Sequence, residues 1–331
     1  MKKIALTGIK PTGIPHLGNY LGAIKPALTL SETCEARYFI ADYHALNACK
    51  DPVELKKMTI EIAAAWLACG LDPEKTLFYR QSDVPETFEL LTILMAFTPK
   101  GLMNRAHAYK AILQNNLESK RDPDDGVNMG LYTYPVLMAA DILLFDTDFV
   151  PVGTDQYQHI EMAQDIAQSF NFVYQKKALK IPQPMTQPNS KIVVGLDGRK
   201  MSKSYNNTIP MFCTEKELKR FVMSIKTNSQ TIEEPKDPES SHIFTLYKNF
   251  ASPEQIEKMR QRYLQGGLGW GQAKMELFEV INSELSPLRE NYNYWINNQE
   301  KIWQALKEGS EKARALASQK IKELRQVIGI D

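Results

Sequence analysis

Short apolar runs and helical repeats alternate along the first half of the chain. Four apolar runs predict β-strands, at residues 4–7, 37–42, 76–80 and 149–152. Between them apolar residues recur every three or four positions, most clearly over 53–70, where Asp51 is the expected N-cap and Gly70 the expected end. Strands that alternate with helices are typical of a doubly wound parallel sheet, so the predicted fold class is α/β and Rossmann-like.

The second half of the chain loses the strand-like runs. Residues 175–189, rich in Pro, Gln and Lys, predict an irregular connection. Beyond Thr214 helical patterns dominate, at 214–224, 253–264, 270–297 and 299–328. We therefore predict a Rossmann-like domain at 1–207 and an all-helical domain at 208–331, whose last helix could return to the first domain.

Composition narrows the class of protein. The 331 residues are 43% hydrophobic with a formal net charge of +1, which allows a sizeable core and announces no nucleic-acid partner by bulk charge. The four cysteines lack Cys-x-x-Cys spacing, which favours reduced thiols over a metal site or disulfides. The N-terminal apolar run stops at Thr7, and no segment approaches the ~20 apolar residues of a membrane span. We expect a cytoplasmic protein.

The loop after the first predicted strand is a candidate phosphate-binding turn. Residues 11–20 read Pro-Thr-Gly-Ile-Pro-His-Leu-Gly-Asn-Tyr. A helix that begins here offers free backbone N–H groups and a positive dipole end. Gly18 permits close approach of a ligand, and His16 and Asn19 can both donate hydrogen bonds from the first turn. The same residues equally fit a histidine that merely caps a helix.

A second loop, residues 198–204, reads Gly-Arg-Lys-Met-Ser-Lys-Ser. Lysine is a point charge suited to phosphate oxygens, although a surface loop of Lys and Ser is usually only solvated. Residues 200–204 match the second signature of the class I aminoacyl-tRNA synthetases in full. Residues 15–19 resemble their first signature, with Asn19 where many members have a second histidine. The resemblance implies that the first loop holds ATP and that the second closes on its triphosphate.

A lone carboxylate, Asp141, stands in the otherwise apolar helical stretch 131–145. An unpaired buried carboxylate is costly, so Asp141 needs a hydrogen-bond donor. An indole N–H or a phenol O–H would serve, and so would an internal Arg or a backbone amide. Met138 lies one turn earlier on the same face and could pack on a flat ring.

The segment 151–159 reads Pro-Val-Gly-Thr-Asp-Gln-Tyr-Gln-His. It follows a predicted strand and opens a helix at the carboxyl edge of the sheet, where ligands bind in doubly wound folds. Asp155 and Gln156 offer an acceptor and a donor for the ammonium group or ribose of a substrate. N-capping by Thr154 or Asp155 would explain the segment without a ligand.

Together these segments resemble the tryptophanyl-tRNA synthetase family over most of the chain. The most discriminating matches are Tyr-Pro-x-Leu-Met-Ala-Ala-Asp-Ile-Leu at 134–143 and Pro-Val-Gly-x-Asp-Gln-x-x-His at 151–159. The resemblance implies a tryptophan pocket made of Asp141 for the indole nitrogen, Tyr134 and Gln156 for the α-amino group, Met138 along the ring and His44 beside it.

The same resemblance implies an ATP site and the catalytic residues. Catalysis would rest on Lys200, Ser202, Lys203 and Asn19. ATP would contact Lys10, Pro11, Thr12, His16, Gly18, Asn19, Gly153, Thr154, Asp155, Ile192, Lys200, Met201, Ser202, Lys203 and Ser204. One position departs from the family, because Lys10 stands where many bacterial members carry Gln.

The resemblance also implies cofactors and partners. ATP would bring Mg²⁺, and we expect no zinc and no iron–sulfur cluster, since residues 267–272 lack the cysteines that hold one in some members. A homodimer would form through residues 1–207, and the domain at 208–331 would recognise the anticodon of tRNA(Trp). Basic residues near the C-terminus are candidates for phosphate contact, although such a helix face is usually only solvated: Lys307, Lys312, Arg314, Lys320 and Lys322.

Three alternative functions were considered from the sequence. Tyrosyl-tRNA synthetases share the fold, but their usual Gly-Ser-Asp-Gln-Trp stretch is absent from this sequence. A synthetase-like paralogue that binds RNA or a small ligand without catalysis would be favoured by loss of the signature lysines or of Asp141, all of which are present. A plain nucleotide-binding module would require both signatures to be accidents.

Overall fold

The computed structural model describes residues 2–153, 156–185 and 193–331. In this part of the chain a parallel sheet has the strand order β3-β2-β1-β4-β5. The strands are β1 (Ile4–Ile9), β2 (Glu35–Ile40), β3 (Leu77–Arg80), β4 (Phe149–Pro151) and β5 (Gln183–Met185). The order reverses on either side of β1, which confirms the predicted doubly wound, Rossmann-like sheet.

Strand β5 corrects the expectation that residues 175–189 form only an irregular connection. Gln183, Pro184 and Met185 pair in parallel with β4. Three residues with a proline at the centre give no apolar alternation to detect. Because proline has no backbone N–H to donate to a neighbouring strand, Pro184 fits a strand at the edge of the sheet.

The helices of the described residues follow the predicted pattern, with three short additions (α3, α6 and α11). In chain order they are α1 (Leu17–Asn19), α2 (Lys25–Thr33), α3 (Asp42–Ala45), α4 (Pro52–Ala68), α5 (Glu86–Met95), α6 (Lys100–Met103), α7 (His107–Glu118), α8 (Met129–Leu143), α9 (Tyr157–Tyr174), α10 (Glu215–Met223), α11 (His242–Tyr247), α12 (Pro253–Gln265), α13 (Trp270–Asn297) and α14 (Gln299–Ile328). A π-helical segment, Tyr20–Ile24, joins α1 to α2. In the described ranges no helix is both long and apolar enough to cross a bilayer.

The core lies on both faces of the sheet. Tyr38 and Phe78 belong to one buried cluster, with α4, α10 to α13 and the start of α14. Phe39 and Tyr79 belong to the other, with α5, α8 and α9. Because successive residues of a strand point to opposite faces, these two clusters are the two sides of the sheet. Helix α8 and Asp141 therefore lie on the Phe39 side.

Helix α14 packs directly on the edge strand β3. At Gly309 a Cβ would lie 1.7 Å from the carbonyl oxygen of Phe78, so only glycine permits this approach. Ion pairs fasten the helix further: Arg314 with Glu86, Arg325 with Glu89, and Lys320 with Asp146. The last helix thus returns to the sheet, while the boundary at residue 208 stays a prediction.

One of the candidate tRNA phosphate contacts was misplaced. Lys320 is buried, and its ammonium group donates to Asp146 Oδ1 at 2.6 Å and to the carbonyl oxygen of Ala178 at 2.8 Å. The side chain of Lys320 serves the docking of α14, because the helix face that carries it meets the sheet domain. Arg314 donates to Glu86 but stays half exposed, so its candidate role stays a prediction.

Candidate active site

The first signature loop forms a capped helix start. His16 is the N-cap of α1: its Nδ1 accepts from the backbone N–H of Asn19 at 3.3 Å, and Asn19 Oδ1 accepts from the backbone N–H of His16 at 3.1 Å. Burial, and then the nearby charge of Lys203, lower the pKa of His16 to about 4. His16 is therefore neutral at pH 7, as an acceptor at Nδ1 requires.

The two signature loops touch. The backbone N–H of Gly18 donates to the sulfur of Met201 at 3.3 Å, and Met201 is buried. A Cβ at Gly18 would lie 2.9 Å from the His16 ring, so glycine is required for the close packing. Backbone bonds from Leu17 to Ile209 and from Met211 to Pro15 extend the contact. The first loop is thereby held against the segment that follows the second.

The second loop is organised by Asn207, which sequence reasoning missed. This buried side chain accepts from the backbone N–H of Ser202 at 2.8 Å and donates to the carbonyl oxygen of Lys200 at 3.2 Å. It also donates to Asp197 Oδ1 at 2.7 Å. The hydroxyls of Ser202 and Ser204 lie 2.8 Å apart. An amide that bonds both ends of a turn fixes the backbone of the loop while its lysines stay exposed.

Lys203 reaches back to the first loop. Its ammonium group donates to the carbonyl oxygen of Thr12 at 2.5 Å. Burial lowers the pKa of Lys203 from its usual value, and the carboxylate of Glu61 on α4 opposes that shift. Lys200, whose backbone pairs with Val194, is exposed as well. The loop therefore brings the ammonium group of Lys203 to the first loop.

The remaining ATP candidates are only partly described. Lys10 and Thr12 are exposed and Pro11 is buried in the loop after β1, and Gly153 follows β4. Thr154, Asp155 and Ile192 lie outside the described residues. The structure brings the first loop and residues 200–204 together, and it places Gly153 at the carboxyl edge of the same sheet.

Asp141 is buried and accepts hydrogen bonds on both oxygens. Gln81 Nε2 lies 2.9 Å from each of Oδ1 and Oδ2, and His44 Nε2 lies 3.0 Å from Oδ2. Burial raises the pKa of Asp141, and the bonds to His44 and Gln81 act in the opposite direction. These partners are neither an Arg nor a backbone amide, the two internal donors considered from the sequence.

A second polar chain lies on the same face. The hydroxyl of Tyr134 bonds Nε2 of His159, and Nδ1 of His159 lies 2.8 Å from Oε1 of Gln156. The rings of Tyr134 and His44 meet edge to face with centroids 6.4 Å apart, which joins this chain to the Asp141 pocket. Met138 is half-buried against the core of this face. The five predicted tryptophan-site residues therefore lie along α8 and the elements that pack on it.

Three residues at this site were not nominated from the sequence. Gln81 follows β3 and is buried against Asp141. His159 links Tyr134 to Gln156. At Gly8, near the end of β1, a Cβ would lie 2.7 Å from Phe39 Cζ, so glycine lets the Phe39 ring pack against β1. For Gln81 and Gly8 the available signal was a polar or glycine residue near the carboxyl end of a parallel strand.

The arrangement can bind a planar N–H donor beside a phosphate-binding loop. Fixed acceptor oxygens in a buried pocket select a ligand that can donate to them, because an unpaired buried carboxylate is costly. Neutral His16 and the two exposed lysines suit a polyphosphate, whereas the backbone N–H groups of Leu17, Gly18 and Asn19, which the sequence suggested were free for phosphate, already bond within the protein. In the described ranges no group of three or more His, Cys, Asp or Glu is placed to hold a metal ion.

The family of the chain follows from comparison with known proteins. Residues 2–286 match the family model for tRNA synthetases class I (W and Y). The chain is 51% identical over 329 residues to a tryptophan–tRNA ligase of Pseudomonas aeruginosa. This match covers 98% of this chain and 73% of the relative. The chain belongs to the class I tryptophanyl-tRNA synthetases. Its activity is therefore that of a tryptophan–tRNA ligase.

Further comparisons agree with this family. A tryptophan–tRNA ligase of Bordetella pertussis is 50% identical to this chain over 333 residues. The match covers 100% of this chain and 74% of the relative. A crystal structure of tryptophanyl-tRNA synthetase from Campylobacter jejuni, described as complexed with ADP and tryptophan, has a TM-score of 0.89 and 42% identity. That match covers 98% of this chain and 99% of the Campylobacter jejuni chain.

The tyrosyl alternative shares the fold and nothing more specific. A tyrosyl-tRNA synthetase from Archaeoglobus fulgidus has a TM-score of 0.64 at 21% identity, covering 88% of the synthetase and 90% of that chain. The relatives that share 51% and 50% sequence identity with this chain are named tryptophan–tRNA ligases. The predicted resemblance to tryptophanyl-tRNA synthetases is confirmed.

Proposed function

We propose that the synthetase activates L-tryptophan at a single site built from Asp141 and the two signature loops. The substrate carboxylate attacks the α-phosphate of ATP, and pyrophosphate leaves as tryptophanyl-adenylate forms. A hydroxyl of the terminal adenosine of tRNA(Trp) then takes the tryptophanyl group, and AMP leaves. The observation that carries this proposal is the buried Asp141 carboxylate, held on both oxygens by Gln81 and His44. Such an acceptor suits an indole N–H.

The tryptophan side of the site works by binding alone. A carboxylate has about four acceptor positions, so Asp141 can accept an indole N–H while keeping its protein partners. Met138 lines the ring pocket, and Tyr134 and Gln156 hold the α-amino group. A ligand that lacks the indole N–H leaves the buried acceptor unpaired, so the pocket rejects phenylalanine without a separate editing step.

The ATP side of the site uses the first loop and the segment after β4. Gly18 and Asn19 offer the start of α1 to the phosphates, and His16 keeps that start ordered. Lys10, Pro11 and Thr12 border the nucleotide, and Gly153, Thr154, Asp155 and Ile192 complete the site in this proposal. Mg²⁺ enters as part of the ATP complex, since it prefers phosphate oxygens and water to an all-protein cage.

The chemistry requires no protein nucleophile. Negative charge grows on the departing pyrophosphate, and Lys200 and Lys203 stabilise it. Ser202 and Ser204 contribute hydroxyl groups, and Met201 anchors the loop on Gly18. Asn207 fixes the backbone between the two lysines by bonding the N–H of Ser202 and the carbonyl oxygen of Lys200.

Partners and location complete the proposal. The helices after residue 208 recognise the anticodon of tRNA(Trp), and the candidate phosphate contacts that remain on α14 are Lys307, Lys312, Arg314 and Lys322. The synthetase acts as a cytoplasmic homodimer, with the interface within residues 1–207. Support for tRNA(Trp) as the partner comes from the relatives named tryptophan–tRNA ligase.

Amino-acid-dependent ATP–pyrophosphate exchange tests the proposal. The purified chain is assayed with each of the twenty standard amino acids, with and without Mg²⁺. Exchange with tryptophan alone, and only with Mg²⁺, is the expected result. Exchange with tyrosine would overturn the pocket assignment, and exchange with no amino acid would overturn the catalytic role of the site.

A further inference from the structure

Glu61 faces the turn that Lys203 clasps. It lies on α4, and its side chain is mostly buried. Gly13 sits between the two charged groups with φ +78°, and a Cβ there would lie 3.5 Å from Glu61 Oε2 and 3.7 Å from Lys203 Nζ. The carboxylate and the ammonium group therefore border the same side of one turn of the first loop.

Among the charged groups around Lys203, Glu61 supplies a negative charge that balances the ammonium group. A cavity of about 360 Å³ is lined by His16, Lys57, Glu61 and Lys203 among others. His16 is neutral at pH 7, and Lys57 is exposed with its Nζ 3.9 Å from Glu61 Oε1. Burial raises the pKa of Glu61 and lowers that of Lys203, and the electrostatic attraction between the two groups opposes both shifts.

We propose that Glu61 is a positioning residue that holds the ammonium group of Lys203 against the carbonyl oxygen of Thr12. Glu61 contacts no reacting atom in this scheme. It acts through Lys203, so the inference rests on the proposed role of that lysine at the triphosphate.

Competition for one ammonium group gives the functional consequence. A triphosphate that binds Lys203 must draw it away from Thr12 and from the field of Glu61. The apparent affinity for ATP is reduced by the fraction of molecules in which the lysine stays held. Loss of the carboxylate therefore strengthens ATP binding and leaves the later chemical step, in which Lys203 has already moved, unchanged.

Steady-state pyrophosphate exchange on Glu61→Gln tests the inference. We expect the KM for ATP to fall by about threefold or more, with kcat and the KM for tryptophan unchanged. Glu61→Asp keeps the charge and should restore the wild-type KM. Glu54→Gln, which removes the same charge from an exposed position two turns earlier on α4, is the matched control and should not change the KM.

The same variants in a Lys203→Ala background separate the two proposals. If Glu61 acts through Lys203, Glu61→Gln no longer changes the KM for ATP once the lysine is absent. An unchanged or higher KM in Glu61→Gln alone, or an equal fall in both backgrounds, overturns the positioning role and leaves that of Lys203 intact. A wild-type exchange rate in Lys203→Ala alone overturns the role of the lysine itself.

Discussion

The backbone N–H of Gly18 donates to the sulfur of Met201 at 3.3 Å, although 183 residues separate the two in the chain. This bond joins the helix start of the first signature loop to the centre of the second. A phosphate bound at α1 therefore lies beside the loop that carries Lys200 and Lys203. The contact explains how two distant segments form one nucleotide site.

Lys203 is expected to act on the chemical step. Lys203→Ala should lower the rate of tryptophan-dependent pyrophosphate exchange by about 100-fold, because one stabilising charge on the leaving group is lost. The KM for tryptophan should change little. Lys216→Ala, an exposed lysine on α10, is the control. Equal rates for Lys203→Ala and the wild type would remove this lysine from the mechanism.

His16 makes stability depend on pH. Its pKa is lowered from 6.5 to about 4 in the folded chain, so as pH falls through this window the unfolded chain takes up a proton that the folded chain refuses. As the pH falls from 6.5 to about 4, the protonation of His16 in the unfolded chain should lower the free energy of unfolding by roughly 1–2 kcal/mol, after allowance for partial solvent screening.

His16→Asn isolates this contribution, because asparagine can also cap a helix but does not titrate. Urea unfolding of both proteins across that pH range gives the comparison. The difference in unfolding free energy, wild type minus variant, should decrease toward low pH. A constant difference would mean that His16 keeps its usual pKa in the folded chain.

Gly309 controls the docking of α14 on β3. A Cβ at Gly309 would meet the carbonyl oxygen of Phe78 at 1.7 Å, so Gly309→Ala should lower the free energy of unfolding by ~2 kcal/mol or more. Gly271→Ala, in α13 with no atom near the added Cβ, should instead raise it by ~0.5–1 kcal/mol. Equal stabilities in urea unfolding would contradict the close approach.

Periodicity predicted the elements whose signal is local. Residues 4–7 and 76–80 are compact apolar runs, and Asp51 caps α4 as expected, accepting from the N–H groups of Val53 and Glu54. Strand β5 was not predicted, because it has only three residues and the central one is Pro184. Its pairing depends on β4, which the sequence around it does not reveal.

Site residues that belong to a sequence motif could be predicted. Site residues that act only through contacts between distant parts of the chain could not. Asp141 stood out because a lone carboxylate in an apolar helix needs a donor. Gln81, its principal partner, lies 60 residues away, and one glutamine after a strand is not distinctive. Asn207 and Glu61 were missed for the same reason, since each acts on a loop from outside the motif.

The most direct test of the account compares Asp141→Asn with Asp165→Asn, an exposed carboxylate on α9. Asp141→Asn should raise the KM for tryptophan by about 10- to 100-fold, the cost of weakening a hydrogen bond to a charged acceptor, with a much smaller change in the KM for ATP. Asp165→Asn should change neither. Equal increases for tryptophan and ATP in Asp141→Asn, or none for tryptophan, would contradict the assignment of Asp141 to the indole.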